Sequence, residues 1–189
     1  VSAGILYLHG FRSSPASWKV RLLSEYMAAN RLGERFACPA LSHIPSVAIA
    51  QAEALIGAAD GPLTLVGSSL GGYYATWLAE KHDLRAVLIN PAVLAPLSLT
   101  EHLGTQTNLH TGETFEFTTA HIEELRCMEP EKITPARYLL LVEKGDEVLD
   151  YRKAVAHYAG CRQIVLEGGD HSFTRFPEFL PQILEFCGL

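Results

Sequence analysis

Basic residues are scarce in this sequence: 15 Lys and Arg stand against 21 Asp and Glu, a formal net charge of −6. No run of basic residues interrupts that balance, so there is no face to neutralise a phosphate backbone, and nucleic acid is excluded as an expected partner. Long apolar runs are missing as well. Stretches such as Tyr138 to Val142 and Ala92 to Leu97 fall far short of the roughly 18 residues that suggest a membrane span, and none is expected. The first residues, Val1-Ser2-Ala3-Gly4-Ile5-Leu6-Tyr7-Leu8, lack the charged and long apolar segments of an export signal, so a cytoplasmic location is expected. There are only four cysteines, Cys38, Cys127, Cys161 and Cys187, and no C-x-x-C pair. Neither a zinc site nor a disulfide framework is expected of them; buried, reduced thiols are.

The composition that remains is that of a packed protein. Hydrophobic residues make up 48% and charged residues 19% of 189 positions, with glycine and proline scattered. At about 100 to 200 residues per domain this predicts one domain over residues 1–189, burying roughly 70% of its unfolded surface without staples. No repeat, low-complexity segment or linker divides it.

Apolar runs and helical periodicities alternate along the chain, the pattern of a parallel sheet with crossover helices. Ile5 to Leu8 predicts a strand. Ser14-Pro15 then predicts the cap and first turn of a helix carrying Trp18, Leu22, Leu23, Tyr26 and Met27 at helical spacing, ended by Gly33. Arg35 to Pro39 predicts a strand, Ser46 the cap of a helix to about Ala59, Leu63 to Val66 a strand, and Leu70 the start of a third helix. Arg85 to Ile89 is a strand stopped by Asn90-Pro91, and no clear period follows until about Thr118. Thr119 to Met128, Asp150 to Tyr158 and Pro177 to Cys187 read as helices, with strands at Tyr138 to Val142 and Gln163 to Leu166. The fold class is therefore α/β: a mostly parallel sheet of about six strands with helices on both faces.

Gly67-Ser68-Ser69-Leu70-Gly71 is a G-x-S-x-G between a predicted strand and a predicted helix, the context in which that motif makes a nucleophile elbow. The sharp turn lifts a hydroxyl above the sheet edge, and small flanking residues avoid collisions where strand and helix close up. A serine hydroxyl is a poor nucleophile at neutral pH and needs a base, which needs an orienting acid. Of eight histidines, His171 lies best, on a glycine-containing loop after the strand ending at Leu166. His102, His110, His121 and His157 read as surface or structural, and His9 as a packed side chain. Asp146, just past the strand ending at Val142, is the leading acid. Its rivals are Glu147, Asp150, which reads as a helix cap, and Asp170, which adjoins His171 in the chain. The oxyanion of acyl transfer calls for two backbone donors. The Leu70 N–H, at a helix start, and the Phe11 N–H, after Gly10 on the first loop, are the candidates.

His9-Gly10-Phe11-Arg12-Ser13-Ser14-Pro15, Gly67 to Trp77, Asn90-Pro91-Ala92, Gly145 to Tyr151 and Gly168 to Phe173 together resemble the YqiA-like bacterial esterases of the α/β-hydrolase superfamily, over nearly the whole chain. The resemblance implies a compact α/β-hydrolase acting on carboxylic esters, acyl-CoA thioesters among the candidates, with nucleophile Ser69, acid Asp146 and base His171. The chain departs from the family pattern at Asp170 and Arg12, where the family favours Asn. A carboxylate beside His171 is expected to favour the imidazolium.

The implied reaction is a two-step acyl transfer that needs no metal, flavin or nucleotide, so no cofactor is expected. A small-molecule ester or thioester is the expected partner, and protein partners are not legible. Alternatives are an acyl-CoA thioesterase with the same triad, or a binding protein on the same fold. Leu94, Leu97, Leu99, Leu103, Phe115 and Phe117 read as either acyl-site lining or core. Tyr73, Tyr74 and Trp77 read as core, and Arg12 and Arg175 as solvated loop charges.

Overall fold

Strands that are apolar on both sides need cover on both faces, and helices supply it. The computed structural model describes residues 4–189; residues 1–3, the start of the stretch read for an export signal, lie outside the described residues. The elements are β1 (Gly4–Leu8), α1 (Trp18–Ala29), β2 (Phe36–Ala37), α2 (Pro45–Gly57), β3 (Leu63–Ser68), α3 (Leu70–His82), β4 (Arg85–Ile89), α4 (Ala95–Ser98), β5 (Gly104–Thr107), β6 (Thr114–Phe117), α5 (Thr119–Arg126), β7 (Tyr138–Glu143), α6 (Tyr151–His157), β8 (Arg162–Leu166) and α7 (Leu180–Cys187). Six strands form one sheet in the order β2-β1-β3-β4-β7-β8, and every pairing in it is parallel.

The period of two in β1 divides the core. Leu6 and Leu8 join Ala48, Tyr74, Leu78, Leu125 and Tyr158 on the face covered by α2, α3, α5 and α6. Ile5 and Tyr7 join Val20, Leu23, Met27 and Ile183 on the face covered by α1 and α7. Leu23 and Ile183 are wholly buried, and truncating either to alanine costs about 2–5 kcal/mol.

Several boundaries differ from the sequence expectation for local reasons. Ser14 does not cap α1: its Oγ accepts the Ala16 N–H at 3.1 Å and its carbonyl the Ser17 N–H, making a separate turn before the helix. Pro45, not Ser46, opens α2, since proline is preorganised for a first helical position. The closing helix is two pieces, a 3-10 turn at Phe176–Phe179 and then α7. The unreadable middle holds α4, a 3-10 turn and an antiparallel hairpin, β5–β6, with Gly104 opposite Phe117. Its four-residue strands are too short to establish a period. The hairpin docks on the loop after β1: the Leu109 N–H donates to the Arg12 carbonyl, and the Asn108 amide to the Ser13 carbonyl.

The cysteines are free, but only Cys187 is buried and Cys127 is exposed. Among the described residues no helix is long and apolar enough to cross a membrane.

Candidate active site

Parallel strands deliver their carboxyl ends to one edge, and the loops that leave there are what a site can be built from. Ser69 follows β3 at φ 55°, ψ −121°, a conformation that costs a non-glycine residue on the order of 1–3 kcal/mol. The surroundings hold it there. The Ser69 N–H donates to the Ile89 carbonyl at 3.1 Å, and the Ser69 carbonyl accepts N–H groups of Gly72 and Ala92. A side chain at Gly71 would collide with the Leu8 carbonyl, and one at Gly67 with the Gly71 carbonyl, so the elbow requires both glycines.

His171 reaches Ser69 from the loop after β8. Its Nε2 lies 3.1 Å from Ser69 Oγ, and its Nδ1 lies 2.8 Å from Asp146 Oδ2. With Asp146 ionised, Nδ1 carries the proton and donates, leaving Nε2 to accept from the serine hydroxyl. The Asp146 side chain is 2% exposed. Its Oδ1 accepts the N–H groups of Val148 and Leu149 at 2.9 and 2.8 Å, so the carboxylate is itself locked. The structure thus brings Ser69, His171 and Asp146 into one hydrogen-bonded line. Of the rival acids, Asp150 caps α6 by accepting the Arg152 N–H. Glu147, the neighbouring rival, turns to the same loop without touching the imidazole, its Oε2 accepting the His171 backbone N–H at 3.0 Å.

Gly10 passes close to the serine: a Cβ there would sit 3.3 Å from Ser69 Cβ. Phe11 and Leu70 both line a cleft of about 360 Å³, with Leu41, His43, Tyr74, Phe115, Arg12 and Glu113. Leu70 is the first residue of α3, so its N–H is among those with no acceptor inside the helix. Phe11 packs against Phe115, Phe117 and His102, and His43 stacks on Phe115 with centroids 4.6 Å apart. His9 is buried; its Nε2 accepts the Leu41 N–H, leaving Nδ1 to donate to the Gly10 carbonyl. Burial pushes its pKa down, in keeping with a neutral, packed ring. The middle segment is divided in role. Leu99 and Phe117 are core, Phe115 lines the cleft, and Leu94, Leu97 and Leu103 are exposed. Tyr73 and Tyr74 are buried and Trp77 packs against the core.

Five residues around the site have roles that sequence reasoning did not assign. Asn90, at φ 40°, donates to the carbonyls of Asp170 and His171 at 3.0 and 3.2 Å and accepts the Glu143 N–H at 3.0 Å. Glu143, with a side chain 0% exposed, accepts the Asp170 N–H and the Arg175 Nε–H at 2.9 and 2.8 Å. Arg175 is therefore not a solvated loop charge but the partner of a buried carboxylate. Gly169, at φ 77°, lies against that carboxylate, where any side chain would collide with it. Lys19 is buried on α1, its Nζ donating to the Ser172 carbonyl at 2.7 Å. The usable signal was polarity at the carboxyl end of a buried strand, as in Asn90 and Glu143. Among the described residues no group of three metal-ligating side chains converges.

The family profile described as Uncharacterised protein family (UPF0227) matches residues 4–188. Among solved structures, the chain is similar to α/β hydrolase domain-containing protein 10 from mouse, at 18% identity and TM-score 0.73 over 96% of this chain and 88% of that one. It is also similar to Est1E from Butyrivibrio proteoclasticus, at 15% identity and TM-score 0.70 over 98% and 88%. A third likeness is to a monoacylglycerol lipase from Paleococcus ferrophilus, at 16% identity and TM-score 0.67 over 97% and 93%. These likenesses establish the α/β-hydrolase fold.

Proposed function

The chain belongs to the UPF0227 family of YqiA-like α/β-hydrolases, and from that membership and the site geometry we propose that it is a serine esterase, cleaving carboxylic esters through an acyl-enzyme. The observation that carries the reading is the pair of hydrogen bonds from His171, to Ser69 Oγ at 3.1 Å and to Asp146 Oδ2 at 2.8 Å.

In the first step His171 Nε2 takes the Ser69 proton as Oγ attacks the ester carbonyl carbon. The carbonyl oxygen gathers negative charge, and the Phe11 and Leu70 N–H groups are the donors proposed to meet it. Collapse breaks the bond to the alcohol oxygen, which leaves with the proton from Nε2. Water then enters, gives its proton to Nε2 and attacks the acyl carbon, and the acid departs as Ser69 is reprotonated. Asp146 stays ionised throughout, holding the imidazole tautomer and stabilising the imidazolium as it forms. The name of one of this chain's neighbours in fold, the monoacylglycerol lipase, supports the same substrate class.

The cleft lined by Phe11 and Leu70, about 360 Å³, has room for a compact organic group. Arg12 at its wall keeps an anionic thioester as the second reading; Arg175, bound to Glu143, lends that reading nothing.

Intact mass after exposure to a fluorophosphonate tests the proposal. One adduct on the wild type, absent in Ser69→Ala and slow to form in His171→Ala, is the expected result. A folded wild type that takes up no probe refutes the esterase reading and favours a binding protein on this fold. Rates on matched esters, thioesters and amides then rank the substrates.

A further inference from the structure

Behind the His171 loop, away from the cleft, lies a group of buried charges. Asp170, Asp146 and Glu143 each act on the Lys19 ammonium from this region. Glu143 is matched by Arg175 at 2.8 Å and by the Asp170 N–H. Asp146 is turned to His171. Asp170 has no such match: among the described residues its Oδ1 is buried without a hydrogen-bond partner. A carboxylate in that condition favours a nearby cation, and Asp170 is the foremost of the carboxylates that favour the charge on Lys19.

The cation supplied from the opposite side is Lys19. It enters from α1, buried, and its ammonium donates to the carbonyl of Ser172, the residue after His171, at 2.7 Å. Burial pushes its pKa down to about 8, while Asp170 first, then Asp146 and Glu143, favour the charged form. At neutral pH the ammonium form therefore predominates. Charged groups facing this region also include Arg175, bound to Glu143, and Glu147, which accepts the His171 N–H from the solvent side.

We infer that Lys19 is a positioning residue for the hydrolysis proposed above: its ammonium ties down the loop that carries His171 and offsets Asp170, so that the imidazole remains available as a base. The inference rests on the esterase reading, and it concerns a residue that touches neither substrate nor the reacting atoms. Two effects are separable. The bond to Ser172 ties down the loop that carries the ring, and the charge offsets the carboxylates around Lys19. Removing the ammonium leaves Asp170 uncompensated beside the loop that carries His171, and the loss of activity on acidification is expected to move to higher pH. Removing the Asp170 charge instead moves it the other way.

The test is the pH dependence of kcat and KM on a p-nitrophenyl ester of a short acid, between about pH 5 and pH 9, for wild type, Lys19→Met, Asp170→Asn and the double variant. Thermal melts and fluorophosphonate labelling are run on each. Lys19→Met is expected to lower kcat by about tenfold at neutral pH with KM within about twofold, and to shift the acid limb upward. Asp170→Asn is expected to shift the limb downward, and the double variant to return it toward wild type. If Lys19→Met fails to fold, the downward shift in Asp170→Asn still supports the charge balance, and an unmoved limb there overturns it. A folded Lys19→Met with an unmoved acid limb and unchanged kcat overturns the role of Lys19 while the wild type still labels. A wild type that does not label overturns the esterase reading and this role with it.

Discussion

The two walls of the site are held by different means. The loop from Gly168 to Phe173 is fastened by side chains from four other elements: Asn90 after β4, Glu143 at the end of β7, Glu147 on the following loop and Lys19 on α1. The hairpin β5–β6, across the cleft, rests on Phe11, Phe115 and Phe117 ring contacts and on a few bonds to the loop after β1. Directional bonds to charged and amide groups fix an atom to a fraction of an ångström, whereas ring contacts tolerate sliding. The lesson is a division of labour: the side proposed to perform proton transfer is locked, and the side proposed to meet the variable part of a substrate is packed but adaptable.

The largest effect that bears on this contrast is at the locked wall itself. Ser69→Ala and His171→Ala are each expected to lower kcat for ester hydrolysis by about a million-fold relative to wild type. Next comes the lock. Asn90→Ala removes three hydrogen bonds and leaves the Glu143 N–H without its partner, at a stability cost of about 1–3 kcal/mol. Its kcat is expected to fall roughly tenfold to a hundredfold with little change in KM. An Asn90→Ala enzyme with wild-type kcat would mean that the loop is held well enough without it.

The adaptable wall answers to a different measurement. Phe115→Ala opens the cleft beside His43 and Phe11. It is expected to change the ratio of kcat/KM between bulky and small acyl esters by about tenfold while the smallest ester is cleaved as before. Equal losses on all esters would place Phe115 with the core instead. The smallest effect concerns acid. His9 and His121 sit on the cleft side, and burial is the main cause that pushes the pKa of each down. A histidine held below its unfolded value of about 6.5 takes up protons more readily once unfolded, so its contribution favours unfolding as pH falls through that value. Hydrogen exchange is expected to show protection lost on acidification first in residues 104–117 and the loop after β1, and later in residues 143–147. His9→Asn is expected to flatten the pH dependence of the melting temperature below about pH 6.5.

What was legible beforehand follows the same line. Strands β1, β3, β4 and β7 announce themselves because both faces are covered and the runs are continuously apolar. Ser69, Asp146 and His171 could be picked out because each follows a strand whose carboxyl end is the edge where sites form. The structure brings their side chains within hydrogen-bond reach; the roles given to them are the proposal. Lys19, Asn90 and Glu143 were not legible, since what makes each matter is a partner far away in the chain. A lysine in the first turn of an amphipathic helix reads as surface, and nothing local says that its ammonium meets Ser172. The hairpin was missed because two strands of four residues fall below the length at which alternation can be told from chance. Ser14 and Ser46 misled for the opposite reason, as good caps whose bonding needs were met by a turn and pre-empted by a proline.

The bond between His171 Nε2 and Ser69 Oγ joins residues 102 positions apart. Contacts of that span form late, because the entropy of closing so large a loop is recovered only when the strands between are already paired. Capture of a fluorophosphonate by a refolding sample is thus a stopwatch for the end of assembly: helix signals rise first, and reactivity at Ser69 appears only when β4, β7 and β8 have found their order.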